Sequence, residues 1–213
     1  MRCFILLFYT AITITAFAWL LKNEPTGASA LTTKNKKTSL PAAHSTDLLR
    51  IQQHSSAIKK YAAFRHYNTH YCFLVDMKQH SGSNRFFVYD LMKDAVVKQG
   101  LVAHGYGGSN GSDIHFSNLP GSNCTSVGKY KIGKSYYGRF GLAYKLYGLD
   151  ASNSNAFNRY VVLHAHECVP DAAVFPQQIC MSQGCPTVSP VLLASLKGYL
   201  DKAGQPVLLW IFQ

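Results

Sequence analysis

A cysteine closes a Ser-x-Gly turn in Met181-Ser182-Gln183-Gly184-Cys185-Pro186, 21 residues after the histidine that ends the apolar run Tyr160-Val161-Val162-Leu163-His164. The thiolate, not the thiol, is the nucleophile, so a reactive cysteine needs a base within reach. A strand ending in His164 and a loop ending in Cys185 would supply the two groups from opposite sides of one cleft. Gly184 permits a tight turn whose N–H groups are free to face a developing oxyanion. The same two residues also fit an inert buried cysteine and a structural histidine, and spacing alone leaves both readings open.

A metal reading of the same region has its own logic. His164, His166 and Cys168 alternate, so an extended strand would turn all three to one face, and Cys180 or Cys185 would complete a tetrahedral zinc site. His-x-His-x-Cys is not the spacing of a common structural zinc module, so no metal and no other cofactor is expected. The chain has six cysteines. Without Cys3 an odd number remains, which in an exported protein points to one free, reactive thiol. If that thiol is Cys185, the other four either pair or stay reduced as small apolar side chains. Cys168–Cys180 is the favoured pair because it would tie the His164 strand to the loop carrying Cys185.

The elements that must position these residues come from a chain of 213 residues with a formal net charge of +11. That length suits one domain plus a leader and can bury a core without staples. Removing the first 30 residues, which hold Arg2, Lys22 and Glu24, leaves the charge at +10. A basic surface suits an acidic polymer, an anionic membrane or nucleic acid, or serves solubility alone. Export disfavours nucleic acid.

The case for export lies in residues 1–30. After Met1-Arg2, residues 3–21 carry no charge, and Ala28-Ser29-Ala30 fits a signal-peptidase site. The apolar run is long for a signal peptide and nearly spans a bilayer, so removal of the leader and membrane attachment through residues 3–21 remain alternatives. The expected location is the periplasm or cell envelope. Residues 31–45 read as a linker and 46–213 as the catalytic domain.

Within that domain a helix is expected over 46–66, capped by Ser45 or Thr46, with Leu48, Ile51, Ile58 and Tyr61 as its apolar stripe. Runs at 71–75, 85–89, 95–97 and 101–103 read as strands, and 104–123 as a long Gly/Ser/Asn loop. Two or three short strands are expected over 128–148, a buried strand over 159–163, a helix from Pro190 to about Lys202, and a closing strand over 205–212. Tyr136, Tyr137 and Phe140 are expected in the core, with an aromatic wall for a sugar or peptide as the alternative. The sum is a mainly β domain with a few helices (α+β).

Several blocks together resemble one known family. Val162-Leu163-His164 with Ser182-Gln183-Gly184-Cys185-Pro186-Thr187-Val188 is similar to the signature of murein L,D-transpeptidase catalytic domains of YkuD-like fold. The branch that reads Gly-Cys-Pro-Ala-Val is the most similar. Phe86–Leu91, Gly100–Gly105, Phe116–Ser122, Ser126–Tyr130 and Val207–Phe212 resemble the same branch in the same order, so the likeness covers roughly residues 70–213.

The resemblance implies a β-sandwich or barrel and an acyl transfer. Cys185 matches the nucleophile, His164 the group that takes its proton, and Ser182 and Gly184 the turn. The N–H groups of Gly184 and Cys185 would bind the oxyanion, and a backbone carbonyl would orient the base. The thiolate would attack the L-centred third carbonyl of a peptidoglycan tetrapeptide stem and release D-alanine. An amine acceptor would then give a cross-link, and water a carboxypeptidase or amidase. A non-catalytic envelope-binding module is the reading from another class. His104, Ser117, Asn118, Tyr130 and Gln183 resemble positions near the substrate cleft. The chain departs from the family at Ala165, where glycine is common, at Gln183, where histidine is common, and at Pro186-Thr187.

Overall fold

A computed structural model describes residues 42–109 and 113–213, with side chains from residue 47 onward. The expected leader and most of the linker lie outside the described residues. In the rest, two helices, α1 (Ala42–Phe64) and α2 (Pro190–Asp201), accompany nine strands. These are β1 (Tyr71–Asp76), β2 (Phe86–Asp90), β3 (Ala95–Gly100), β4 (Val102–Ala103), β5 (Gly128–Gly138), β6 (Gly141–Gly148), β7 (Val162–Ala165), β8 (Thr187–Val188) and β9 (Leu208–Phe212).

All nine strands form one mixed sheet in the order β3-β2-β1-β9-β5-β6-β7-β8-β4. Its two edges, β3 and β4, are separated in the chain by Leu101 alone. The sheet therefore curls until its edges almost meet, giving a nearly closed barrel. The β1–β9 and β7–β8 pairs are parallel, and the other ladders are antiparallel.

The continuous apolar runs of β1, β2 and β9 follow from burial on both faces. Phe73, Val75, Phe86, Val88, Leu209 and Ile211 fill the inner core with Leu192, Leu193 and Leu196 of α2. The intervening Cys72, Leu74, Phe87, Tyr89, Leu208 and Phe212 face outward, where Ile51, Ile58 and Ala62 of α1 cover them. Truncating a core ring such as that of Phe73 to alanine would cost about 3–5 kcal/mol. The helix is also tied down by polar contacts: the Arg50 guanidinium donates to both oxygens of Asp76, at 3.0 and 2.6 Å.

Several boundaries differ from the sequence expectation. Helix α1 begins at Ala42 and ends at Phe64, and His66 (φ 57°) takes the left-handed conformation that stops helices. Leu48 is 42% exposed, so the buried stripe runs through Ile51, Ser55, Ile58 and Ala62 instead. The strand expected over 159–163 begins only at Val162, because Tyr160 also has a positive φ of 57°. Residues 128–148 form one long β5–β6 hairpin. Helix α2 matches its expected start: Ser189 caps it by accepting from Leu192 N–H, and Pro190 follows.

Candidate active site

Strand β8 starts two residues after Cys185 and pairs in parallel with β7, register-matching Thr187 to His164. That ladder brings together residues 23 positions apart in the chain. The turn before Cys185 is closed by Ser182, whose hydroxyl donates to Cys185 O at 2.7 Å and accepts from Gly184 N–H at 3.1 Å. From the other side, the end of β4 clamps it. Ser182 N–H donates to His104 O at 2.8 Å, and Tyr106 N–H donates to Ser182 O at 2.9 Å. Gly184 sits at φ 107°, and a Cβ there would lie 2.6 Å from Cys124 O. Only glycine fits this turn without displacing its neighbour.

His164 is buried, and both its ring nitrogens are engaged. Nδ1 lies 3.0 Å from Ala165 O. A carbonyl can only accept, so Nδ1 carries the proton and Nε2 is bare in the neutral ring. Nε2 lies 3.0 Å from Thr187 Oγ1, which therefore donates to it. Phe140, at the tip of the β5–β6 hairpin, stacks on the imidazole at 4.3 Å. Burial holds the His164 pKa below its ordinary value, with the Ala165 hydrogen bond opposing this.

The Cys185 sulfur accepts a hydrogen bond from Val162 N–H at 3.4 Å and lies 3.8 Å from Tyr160 O. Burial pushes its thiol up, opposed by the Val162 N–H and by the positive charge of Arg159. Arg159 is held by Ser117 O at 2.9 Å and Cys124 O at 2.7 Å. Both shifts favour the uncharged pair, a thiol and a neutral imidazole. Both face a cavity of about 610 Å³ that Arg159, Tyr160, Phe140 and Thr187 also line.

The other sequence candidates have different placements. Gln183 lines the cavity beside Cys185. Gly184 N–H donates to Ser182 Oγ, so it is engaged within the turn. Tyr130 is fully buried, with its hydroxyl 2.7 Å from Ser126 Oγ, so it belongs to the core rather than the cleft. Asn118 pins its loop by donating to Ala151 O and Ser154 Oγ. Ser117 holds Arg159 through its carbonyl and caps Leu119 N–H. His104 is buried and accepts from Arg85 at 2.8 Å through Nδ1, and burial and that guanidinium push its pKa down to about 4. Its ring borders a separate cavity. Tyr136, Tyr137 and Phe140 are 37%, 82% and 45% exposed, so the core expected for them is corrected to a surface hairpin. Residues near a hairpin tip have no neighbours left to bury them.

Sequence reasoning did not single out Arg159, Thr187 or the Phe140–His164 stack. A register-matched hydroxyl and a cation from a neighbouring turn leave no local spacing signal.

Cys168 and Cys180 form a disulfide with Cα atoms 6.0 Å apart. Cys72, Cys124 and Cys185 are free, so the second pair considered from the cysteine count does not form. The disulfide removes Cys168 and Cys180 from the zinc reading, and His166 lies beyond the end of β7 with Nδ1 on Cys168 N–H. Among the described residues no group of three or more His, Cys, Asp or Glu is arranged to hold a metal.

Residues 45–210 match the family described as the L,D-transpeptidase catalytic domain. Among solved structures the chain is similar to the helical cell shape determining protein Pgp2 from Campylobacter jejuni, at 11% identity and TM-score 0.44, covering 67% of this chain and 47% of that one. An L,D-transpeptidase from Enterococcus faecium gives 11% identity and TM-score 0.42, covering 67% and 49%. L,D-transpeptidase 1 from Mycobacterium tuberculosis gives 14% identity and TM-score 0.34, covering 66% and 60%. The chain thus spans about half to three fifths of these structures' lengths. No curated protein matches it.

Proposed function

The chain belongs to the L,D-transpeptidase catalytic-domain family, and from that premise we propose that it is an exported cysteine acyltransferase acting on peptidoglycan stem peptides. The observation that carries this reading is the convergence of Cys185, His164 and Thr187 on one cavity, with a bare His164 Nε2 as the base. The Cys185 sulfur attacks the L-centred third carbonyl of a tetrapeptide stem, and its proton passes to Nε2. The Cys185 N–H faces the oxyanion. A C–S bond forms, the C–N bond to D-alanine breaks, and the imidazolium returns the proton to the departing amine. An acceptor amine then attacks the thioester, forms the new amide and frees the thiol.

Thr187 suits both protonation states of the base. Its hydroxyl donates to neutral His164. When Nε2 carries a proton it accepts instead, and its own hydrogen can turn to Cys185 O, 3.3 Å away. His164 makes no hydrogen bond to the Cys185 sulfur at rest, and such catalytic contacts often tighten only with substrate bound.

Export is supported by the uncharged run of residues 3–21 and by the Cys168–Cys180 disulfide, since disulfides persist in oxidising compartments. No helix among the described residues is long and apolar enough to cross a membrane.

The test is incubation of the purified full-length protein with disaccharide-tetrapeptides, followed by mass spectrometry. Dimers lacking one D-alanine establish transpeptidation. Tripeptides alone assign the chemistry to hydrolysis at the same site. Unchanged substrate with Cys185 reduced overturns the catalytic reading.

A further inference from the structure

Alongside the β5–β6 hairpin runs a basic and aromatic groove that the acyl-transfer chemistry does not use. Helix α1 covers the outer face over β1, β2 and β9. Beyond that cover, a groove of about 840 Å³ runs between the hairpin and the loop from α2 to β9. Lys131 Nζ sits 4.4 Å above the Tyr147 ring, and Lys145 Nζ stands 5.8 Å from the Tyr136 ring and 5.6 Å from that of Phe157. Tyr147 and Phe157 stack at 5.0 Å. Of the rings that line the groove, Tyr136 is 37% exposed, and Phe157 stands just outside it against Tyr147.

Two features point to an external partner. The groove is lined by Lys131, Lys134 and Lys145, none of which has a carboxylate within ion-pair distance among the described residues. Its one acidic lining residue, Asp201, is already paired with Lys197. Tyr136 also borders both this groove and the Cys185 cavity, so the two adjoin. The register shift between Ile132 and Ser135 marks a bulge in β5 at the same place, a device that re-aims side chains.

We propose that this groove binds the sugar strand that carries the stem peptides, together with the carboxylates of those stems, and so guides stems into the adjoining cavity. Aromatic faces suit the apolar faces of sugar rings, and the lysines suit the carboxylates that hang from such a strand. The identity of the polymer rests on the acyl-transfer reading; the groove itself does not.

The test uses the full-length protein carrying Cys185→Ala, so that nothing is turned over, mixed with purified intact sacculi. Loss of two charge contacts, by Lys131→Ala with Lys145→Ala, should weaken binding about tenfold. Lys131→Arg with Lys145→Arg should retain it, and added salt should weaken the parent more than the alanine variant. Equal binding by the parent and the alanine variant overturns the proposal. So does parent binding to duplex DNA as tight as to sacculi, which would mean charge alone. Acylation of Cys185 by a small acyl donor is measured separately on the protein with its cysteine intact. Failure there sinks the acyl-transfer reading and leaves the groove result standing.

Discussion

The hydroxyl of Thr187 stands 3.0 Å from Nε2 of His164, on a parallel ladder that pairs these two residues directly. Because Nδ1 is committed to the Ala165 carbonyl, this hydroxyl meets the one nitrogen that can take a proton. Thr187→Val keeps the shape and removes the donor. It should lower kcat about fivefold, the scale of one lost hydrogen bond of about 1 kcal/mol. It should also move the acid limb of the pH profile downward, because the hydroxyl's bond to the charged ring is the stronger of the two it makes. Thr187→Ser should restore both. An unshifted limb in the valine variant would mean that the hydroxyl serves packing alone.

Burial pushes His164 down and the Cys185 thiol up. The base therefore stays bare to a lower pH than an ordinary histidine. The acid limb of kcat/KM should have its midpoint below the ordinary histidine value of 6.5. A midpoint at or above that value would indicate a thiolate–imidazolium resting pair instead.

The same burial makes the fold acid-sensitive. The unfolded chain binds protons on these histidines below 6.5, whereas folded His104 resists until about 4. Stability should thus fall as pH drops from 6.5 towards 4. Thermal melts across that range check the sign.

Cys185→Ala should abolish turnover and leave the circular dichroism and melting temperature close to those of the parent. A carbapenem should add its mass to the parent on Cys185 and leave the alanine variant unmodified. An adduct mapped to Cys72 or Cys124 would contradict the assigned nucleophile.

Gly184→Ala forces a Cβ to within 2.6 Å of Cys124 O at φ 107°. The strain should cost about 1–3 kcal/mol, and the displaced sulfur about a hundredfold in kcat. Melting and single-turnover acylation separate the two effects.

Replacing Cys168 and Cys180 by serine opens a short loop. The expected loss is about 2–3 kcal/mol, read by denaturant unfolding, with kcat falling because the released segment leads directly into Met181 and Ser182.

Much of this arrangement was legible in the chain itself. Near-continuous apolar runs betrayed β1, β2 and β9, Ser189-Pro190 announced the start of α2, and the Ser-x-Gly-Cys turn with His164 marked two residues that face one cavity. These are local signals, carried by residues adjacent in sequence. Tyr130 misled because a buried tyrosine and a cleft tyrosine look alike until the strand's inner face is known. Tyr136 and Phe140 misled because an aromatic run reads as core unless the hairpin is seen to project beyond it.

What the sequence determined by itself was which reactive groups the chain carries and in what local setting, since residue identity sets which atoms could attack, accept and turn. What only the tertiary structure decided was the state in which those atoms wait. The β7–β8 register set Thr187 against His164, the turn at 154–160 brought Arg159 near Cys185, and burial shifted both pKa values in opposite directions. Each depends on distances between segments far apart in the chain, and a spacing along the backbone does not contain them.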